Sequence, residues 1–102
     1  MPPEYLLQNL AGAGINLLPI DLDRHVMFER DGFVALVERR RDNALGNVGA
    51  AGLLTETGLA PLVWRGDVPA FAGKAGDRVA TPEQVDGLRR FQNDLESALR
   101  HV

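Results

Sequence analysis

The sequence predicts an α+β fold: a mostly antiparallel sheet of about five strands, a short N-terminal helix and a long C-terminal amphipathic helix packed on one face. Three observations carry this expectation. Asp31-Gly32 joins two apolar-rich runs within His25–Arg41. The stretch 48–73 is strand-like and broken by the turn pairs Thr57-Gly58 and Gly66-Asp67. The last 22 residues open with Thr81-Pro82-Glu83-Gln84 and then repeat apolar residues at spacings of three and four.

The hairpin is the strongest element. Asp-Gly suits a two-residue type I′ turn, which needs positive φ at both positions. If the loop is Asp31-Gly32, the register follows. Arg30 faces Phe33, Phe28 faces Ala35 and Val26 faces Val37. On the other face Glu29 meets Val34, Met27 meets Leu36 and His25 meets Glu38, with Asp23 opposite Arg40 beyond them. The middle is therefore apolar on both faces, and such strands are usually covered on both. One face suits the helices. The other calls for a second sheet layer, a curled barrel or a second subunit. The register also sets Arg24 against Arg39, an unfavourable like-charge pair.

Before the hairpin, Pro3–Ala13 reads as a short helix. Leu6, Leu7, Leu10 and Ala11 make its apolar stripe, and Gly12 and Gly14 mark its end. Ile15–Ile20 is a short edge strand or a connector, because Pro19 cannot donate to a ladder. After the hairpin, Asp42–Asn47 has the composition of a loop. Strands then follow at about 48–56, 59–65 and 68–73. The first is rich in Gly and Ala, which means that a helix, a bulge or a ligand approaches closely. Pro61 and Pro69 argue for edges or bulges in the other two.

The final helix has a capping box, with Thr81 and Gln84 each satisfying the other's backbone N–H. Pro82 occupies the favoured first helical position. Val85, Leu88, Gln92, Leu95, Leu99 and Val102 form the stripe, flanked by Phe91. Gly87 lies off it and costs about 1 kcal/mol relative to alanine if exposed.

Composition narrows the function classes. A chain of 102 residues is expected to form a single domain. Hydrophobic residues at 45% and charged residues at 25% describe an ordinary globular chain. A formal net charge of −3 gives no global attraction to nucleic acid or anionic membrane. Cysteine is absent, which removes disulfides and thiolate chemistry. No apolar run approaches the roughly 18–20 residues of a membrane span. The first residues lack the pattern of a secretory signal, so the cytoplasm is the expected compartment.

Two constellations have a predicted geometry, both at the open end of the hairpin. Asp21, Asp23 and His25 alternate and would share a strand face, with Glu38 opposite His25. Oxygen and imidazole donors on one surface suit a divalent metal, although the ordinary reading is a polar strand entry closed by ion pairs. Arg39, Arg40 and Arg41, joined across the hairpin by Arg24, form a basic patch. Such a patch suits a phosphate or other small anion, an acidic protein or peptide, or nucleic acid; its ordinary reading is a solvated strand end that protects the sheet edge. The glycines do not match phosphate-binding loops: Gly46, Gly49 and Gly52 lack the dinucleotide spacing, and no Ser or Thr follows Gly73-Lys74. Ser97 is the sole serine, so a Ser/His/Asp triad is excluded. The expectation is a non-catalytic binding or assembly module acting as a homodimer, with Arg24, Arg39, Arg40 and Arg41 as its partner site and no cofactor. The alternative is a small metal-dependent or ligand-binding enzyme built on Asp21, Asp23, His25 and Glu38.

Overall fold

The structure is a computed structural model that describes residues 4–18, 24–40, 45–56, 58–74 and 76–100. The elements run α1 (Glu4–Gly12), β1 (Asn16–Leu18), β2 (His25–Arg30), β3 (Phe33–Arg39), β4 (Leu45–Thr55), β5 (Gly58–Arg65), β6 (Val68–Gly73), β7 (Gly76–Val79) and α2 (Pro82–Arg100). The class is α+β, with seven antiparallel strands in sequence order, each beside the next. The expected count of about five is too low. The additions are the two edges: β1, within the Ile15–Ile20 stretch read as an edge strand or a connector, and β7, too short to carry a period-two pattern.

The hairpin register is the predicted one at all six pairs from His25↔Glu38 to Arg30↔Phe33. Asp31 at φ 56 and Gly32 at φ 87 make the turn left-handed at both positions. β4 begins at Leu45 rather than 48, so Leu45, Gly46 and Asn47 belong to a strand and not a loop. The cause is that Arg39 pairs with Leu45, which half-buries a leucine whose polar neighbours suggested a turn. Two register shifts, between Ala35 and Val37 and between Val37 and Arg39, bend this pairing.

The prolines are not on edges. Pro61 is the last β5 residue paired with β4, and β5 then pairs with β6 from Leu62 onward. Pro69 faces Ala80, whose N–H donates to its carbonyl at 2.9 Å, just past the end of β7 at Val79. Its missing donor therefore falls where no strand remains to receive it. The small residues of β4 also have a cause. A Cβ on Gly52 would overlap the Ala60 carbonyl oxygen and lie 2.7 Å from both Ala60 C and Pro61 Cα. β4 and β6 approach each other across β5, so the sheet curls.

Strand alternation divides the residues into two faces. Phe28, Ala35, Val37, Ala51, Ala60 and Phe71 share the face that packs with Leu88, Phe91 and Leu95 of α2 in one buried cluster. Burying each large side chain there contributes roughly 1.5–3 kcal/mol. Phe91 is the centre of the helical stripe, fully buried, and not its flank. The capping box is formed: Thr81 N–H donates to Gln84 Oε1 at 2.9 Å and Gln84 N–H to Thr81 Oγ1 at 3.1 Å. Val102 lies outside the described residues. α1 packs on α2. It ends in a Schellman motif: Ile15 N–H reaches Leu10 O at 2.8 Å and Gly14 N–H reaches Ala11 O at 3.0 Å, with Gly14 at φ 75. Leu10 and Ile15 are buried, whereas Ala11 is exposed and drops out of the expected stripe. The side chains of Leu6 and Leu7 lie outside the described ones. No helix among the described residues is long and apolar enough to cross a membrane.

Gly87 is half-buried, not exposed as a residue off the stripe would be. A Cβ there would lie 2.9 Å from Phe33 Cε2 and 3.0 Å from Cζ. The glycine seats the hairpin's Phe33 ring against α2. Gly87→Ala is therefore expected to lose about 1–2 kcal/mol by overpacking rather than gain about 1 kcal/mol of helix propensity. Urea melts of the two proteins check the sign.

Candidate functional site

The open end of the hairpin is set by backbone pairing. Arg39 N–H donates to Arg24 O at 2.8 Å, which continues the register one pair beyond His25↔Glu38. The two arginines therefore stand opposite each other as expected, on the parity of Val26 and Val37. His25 and Glu38 stand opposite on the other face, both exposed.

Arg40 follows the end of β3. Its Nε lies 3.6 Å from Glu38 Oε1, and both side chains are about half exposed. A pair so open to water contributes little to stability, but it fixes where the charge sits. Gly46 makes room for it: a Cβ there would lie 3.0 Å from Arg40 Nε and 3.1 Å from Glu38 Oε1. Arg40 also lines an open cleft of ≈ 500 Å³ between the start of β4 and the last turns of α2. Asn47 and Glu96 are its other polar walls, and Leu45, Val48 and Leu99 its apolar ones.

The structure thus brings Arg24, Arg39 and Arg40 to one end of the hairpin. Arg41, Asp21 and Asp23 lie outside the described residues. Of the candidate metal ligands only His25 and Glu38 are described, and two donors do not make a cation site. Among the described residues no group of three or more His, Cys, Asp or Glu side chains is assembled to hold a metal. No described polar or charged residue is buried, so no described ionisable group is held in a low-dielectric pocket of the kind that tunes a catalytic acid or base.

A second charged site was not anticipated. Arg30 Nη1 donates to Asp94 Oδ2 at 2.8 Å and to Ala13 O at 3.1 Å. Its guanidinium also lies 5.6 Å from the Phe91 ring centre. One partly buried side chain therefore ties the hairpin to α2 and to the turn after α1. The signal was available: the register puts Arg30 on the parity of Phe28 and Val26, the helix-covered face, where a cation needs an acid from the covering helix. At the far end of the sheet, Arg65 Nε donates to Asp77 Oδ2 at 2.9 Å. The hydrogen bond and the charge of Asp77 raise the Arg65 pKa above its ordinary value.

The face of the sheet without helices carries an apolar set, with His25, Glu29, Glu38 and the Arg65–Asp77 ion pair on the same face, and Met27 and Val34 of that set are already buried in the single chain. Leu18, Met27, Leu36, Val34, Leu54, Leu59, Val63, Val68 and Val79 share this face by pairing. None of them belongs to the helix-side cluster. Leu54, Val68 and Val79 are 43%, 46% and 67% exposed. No family model, no curated protein and no solved structure matches this chain.

Proposed function

We propose that the protein is a non-catalytic binding and assembly module that acts as a homodimer, its two copies meeting through the helix-free faces of their sheets. The observation that supports this most is the exposure of Leu54, Val68 and Val79 on the helix-free face, where the Arg65–Asp77 ion pair flanks the last two. Large apolar side chains exposed on one face mark interaction sites. Two sheets stacked face to face bury such residues at about 10 Å separation, as in a sandwich. A second copy suits this face because twofold association is the commonest way that a self-complementary patch closes. In this reading the arginines at the open end of the hairpin stay in solvent at the rim and receive an acidic partner or a small anion. The thin catalytic inventory agrees with a binding role.

A glutamate at Leu54 tests the reading, because it puts a charge on an exposed apolar position of the face that the second copy would cover. Leu54→Glu is expected to sediment as a monomer while keeping a cooperative melt, since the side chain is already 43% exposed in the single chain. A Leu54→Glu protein with an unchanged dimer mass contradicts the assignment of the face. Reversing Arg24 and Arg39 to glutamate is expected to leave the mass unchanged and to abolish retention on an oligo-glutamate resin. Unchanged retention removes these arginines as the partner site.

A further inference from the structure

We propose that the outer edge of β7 receives an extended segment of a different protein as an eighth, antiparallel strand, with an apolar side chain over Gly76 and a carboxylate opposite Arg78. The first ground is backbone polarity. β7 is an edge strand of the sheet and all four of its residues are exposed. The bond from Ala80 N–H to Pro69 O sets the alternation of the β6–β7 ladder. It directs the N–H and C=O of Arg78 and Gly76 toward β6, and those of Asp77 and Val79 outward. That outward row is a template for strand addition, in which main-chain bonds give affinity and pockets for alternate side chains give specificity.

The second ground is a pocket in the right place. A hollow of ≈ 100 Å³ opens on the helix-bearing face beside this edge, lined among others by Leu53, Ala60, Phe71, Gly76 and Arg78. Its floor is apolar, with Phe71 and Ala60 each 2% exposed. β7 contributes Gly76 and Arg78 to its rim, the two residues whose side of the strand faces this way. A strand added beside β7 sets its own alternate residues next to these two. The position beside Gly76 meets no side chain and opens onto the apolar floor. The position beside Arg78 meets a guanidinium that has no ion pair among the described residues. In the antiparallel direction, the carboxylate precedes the apolar residue by two positions.

Charge also says what does not fit. Twofold antiparallel pairing of β7 with its own copy requires an axis normal to the sheet, so only residues on the same face can oppose. In the two registers that pair most of β7, Asp77 would face its own copy or Arg78 would face its own copy. Like charges directly opposite destabilise a strand pair. The edge is thereby set against a second copy and left complementary to an acidic, apolar strand from elsewhere. The pocket lies on the opposite face from the dimer surface, to which β7 contributes the Val79 side chain, and the proposal does not depend on the dimer reading.

The test uses the full chain and a short synthetic peptide containing Val-Glu-Thr-Leu, with amide hydrogen exchange as the readout. Peptide is expected to slow exchange at Asp77 and Val79 selectively. Val79→Pro is expected to abolish binding with the melting temperature retained, because the N–H it removes points outward and takes no part in the β6 ladder. Arg78→Glu is expected to weaken binding at least tenfold, about 1.4 kcal/mol, and a peptide with lysine in place of glutamate is expected to restore it. No peptide-dependent protection at Asp77 and Val79 overturns the proposal. So does equal affinity of the lysine peptide for the unmodified protein. Protection of these amides that grows with protein concentration alone assigns the edge to a second copy and also overturns it.

Discussion

Gly52→Ala is expected to cost about 3 kcal/mol or more, the upper range for forcing atoms into a packed site. The cause is steric and not conformational. A Cβ at this position overlaps the backbone of Ala60 and approaches Pro61, and neither is a side chain that can swing away. Relief requires β4 and β5 to separate at Gly52↔Pro61, where β5 is about to change partners. Domains of this size hold about 5–15 kcal/mol in total, so the loss is a large share of the fold. A denaturant midpoint shift at constant slope measures it. Alanine at exposed Gly49, whose Cβ would lie 3.5 Å from the Leu36 carbonyl oxygen, serves as the control with little change.

Arg30→Ala is expected to be the next most damaging change, at about 2–3 kcal/mol. It removes a charge-assisted bond to Asp94, a bond to the Ala13 carbonyl and a cation–π contact with Phe91. Asp94 is 52% exposed and can be rehydrated, so Asp94→Asn alone should cost much less. The double-mutant cycle isolates the Arg30–Asp94 coupling, which should be well under the whole loss. A loss under about 0.5 kcal/mol for Arg30→Ala would mean that the side chain does not tie the hairpin to α2.

Much of this architecture could be read from the residues. The hairpin register followed from Asp31-Gly32 because a two-residue loop leaves only one pairing. The α2 start followed from Thr81 and Gln84 because the cap is local chemistry. Long-range consequences were not readable. β7 is a strand because β6 offers it a ladder, and nothing in Gly-Asp-Arg-Val itself demands one. Gly87 looks like an exposed helix defect until Phe33 is placed 54 positions earlier in the chain, against its missing side chain. Of the site, the backbone could be foreseen, with Arg24 opposite Arg39 and His25 opposite Glu38. The cleft that Arg40 shares with Leu99 could not, because it depends on where α2 ends relative to β4.

The two-sided apolar character of β2 and β3 led to the expectation of a second sheet layer, a curled barrel or a second subunit on the face away from the helices. Met27 and Val34 on that face are already buried in the single chain, whereas Leu54, Val68 and Val79 of β4, β6 and β7 stay in solvent. The account therefore centres on a second copy covering them. Sedimentation velocity of the unmodified protein over about a hundredfold concentration range tests this most directly, because mass action moves a reversible dimer across such a range. The predicted result is a mass twice that of the 11.1 kDa chain at the upper end, falling toward the chain mass on dilution or staying double throughout. A chain mass that stays single at every concentration would contradict the account.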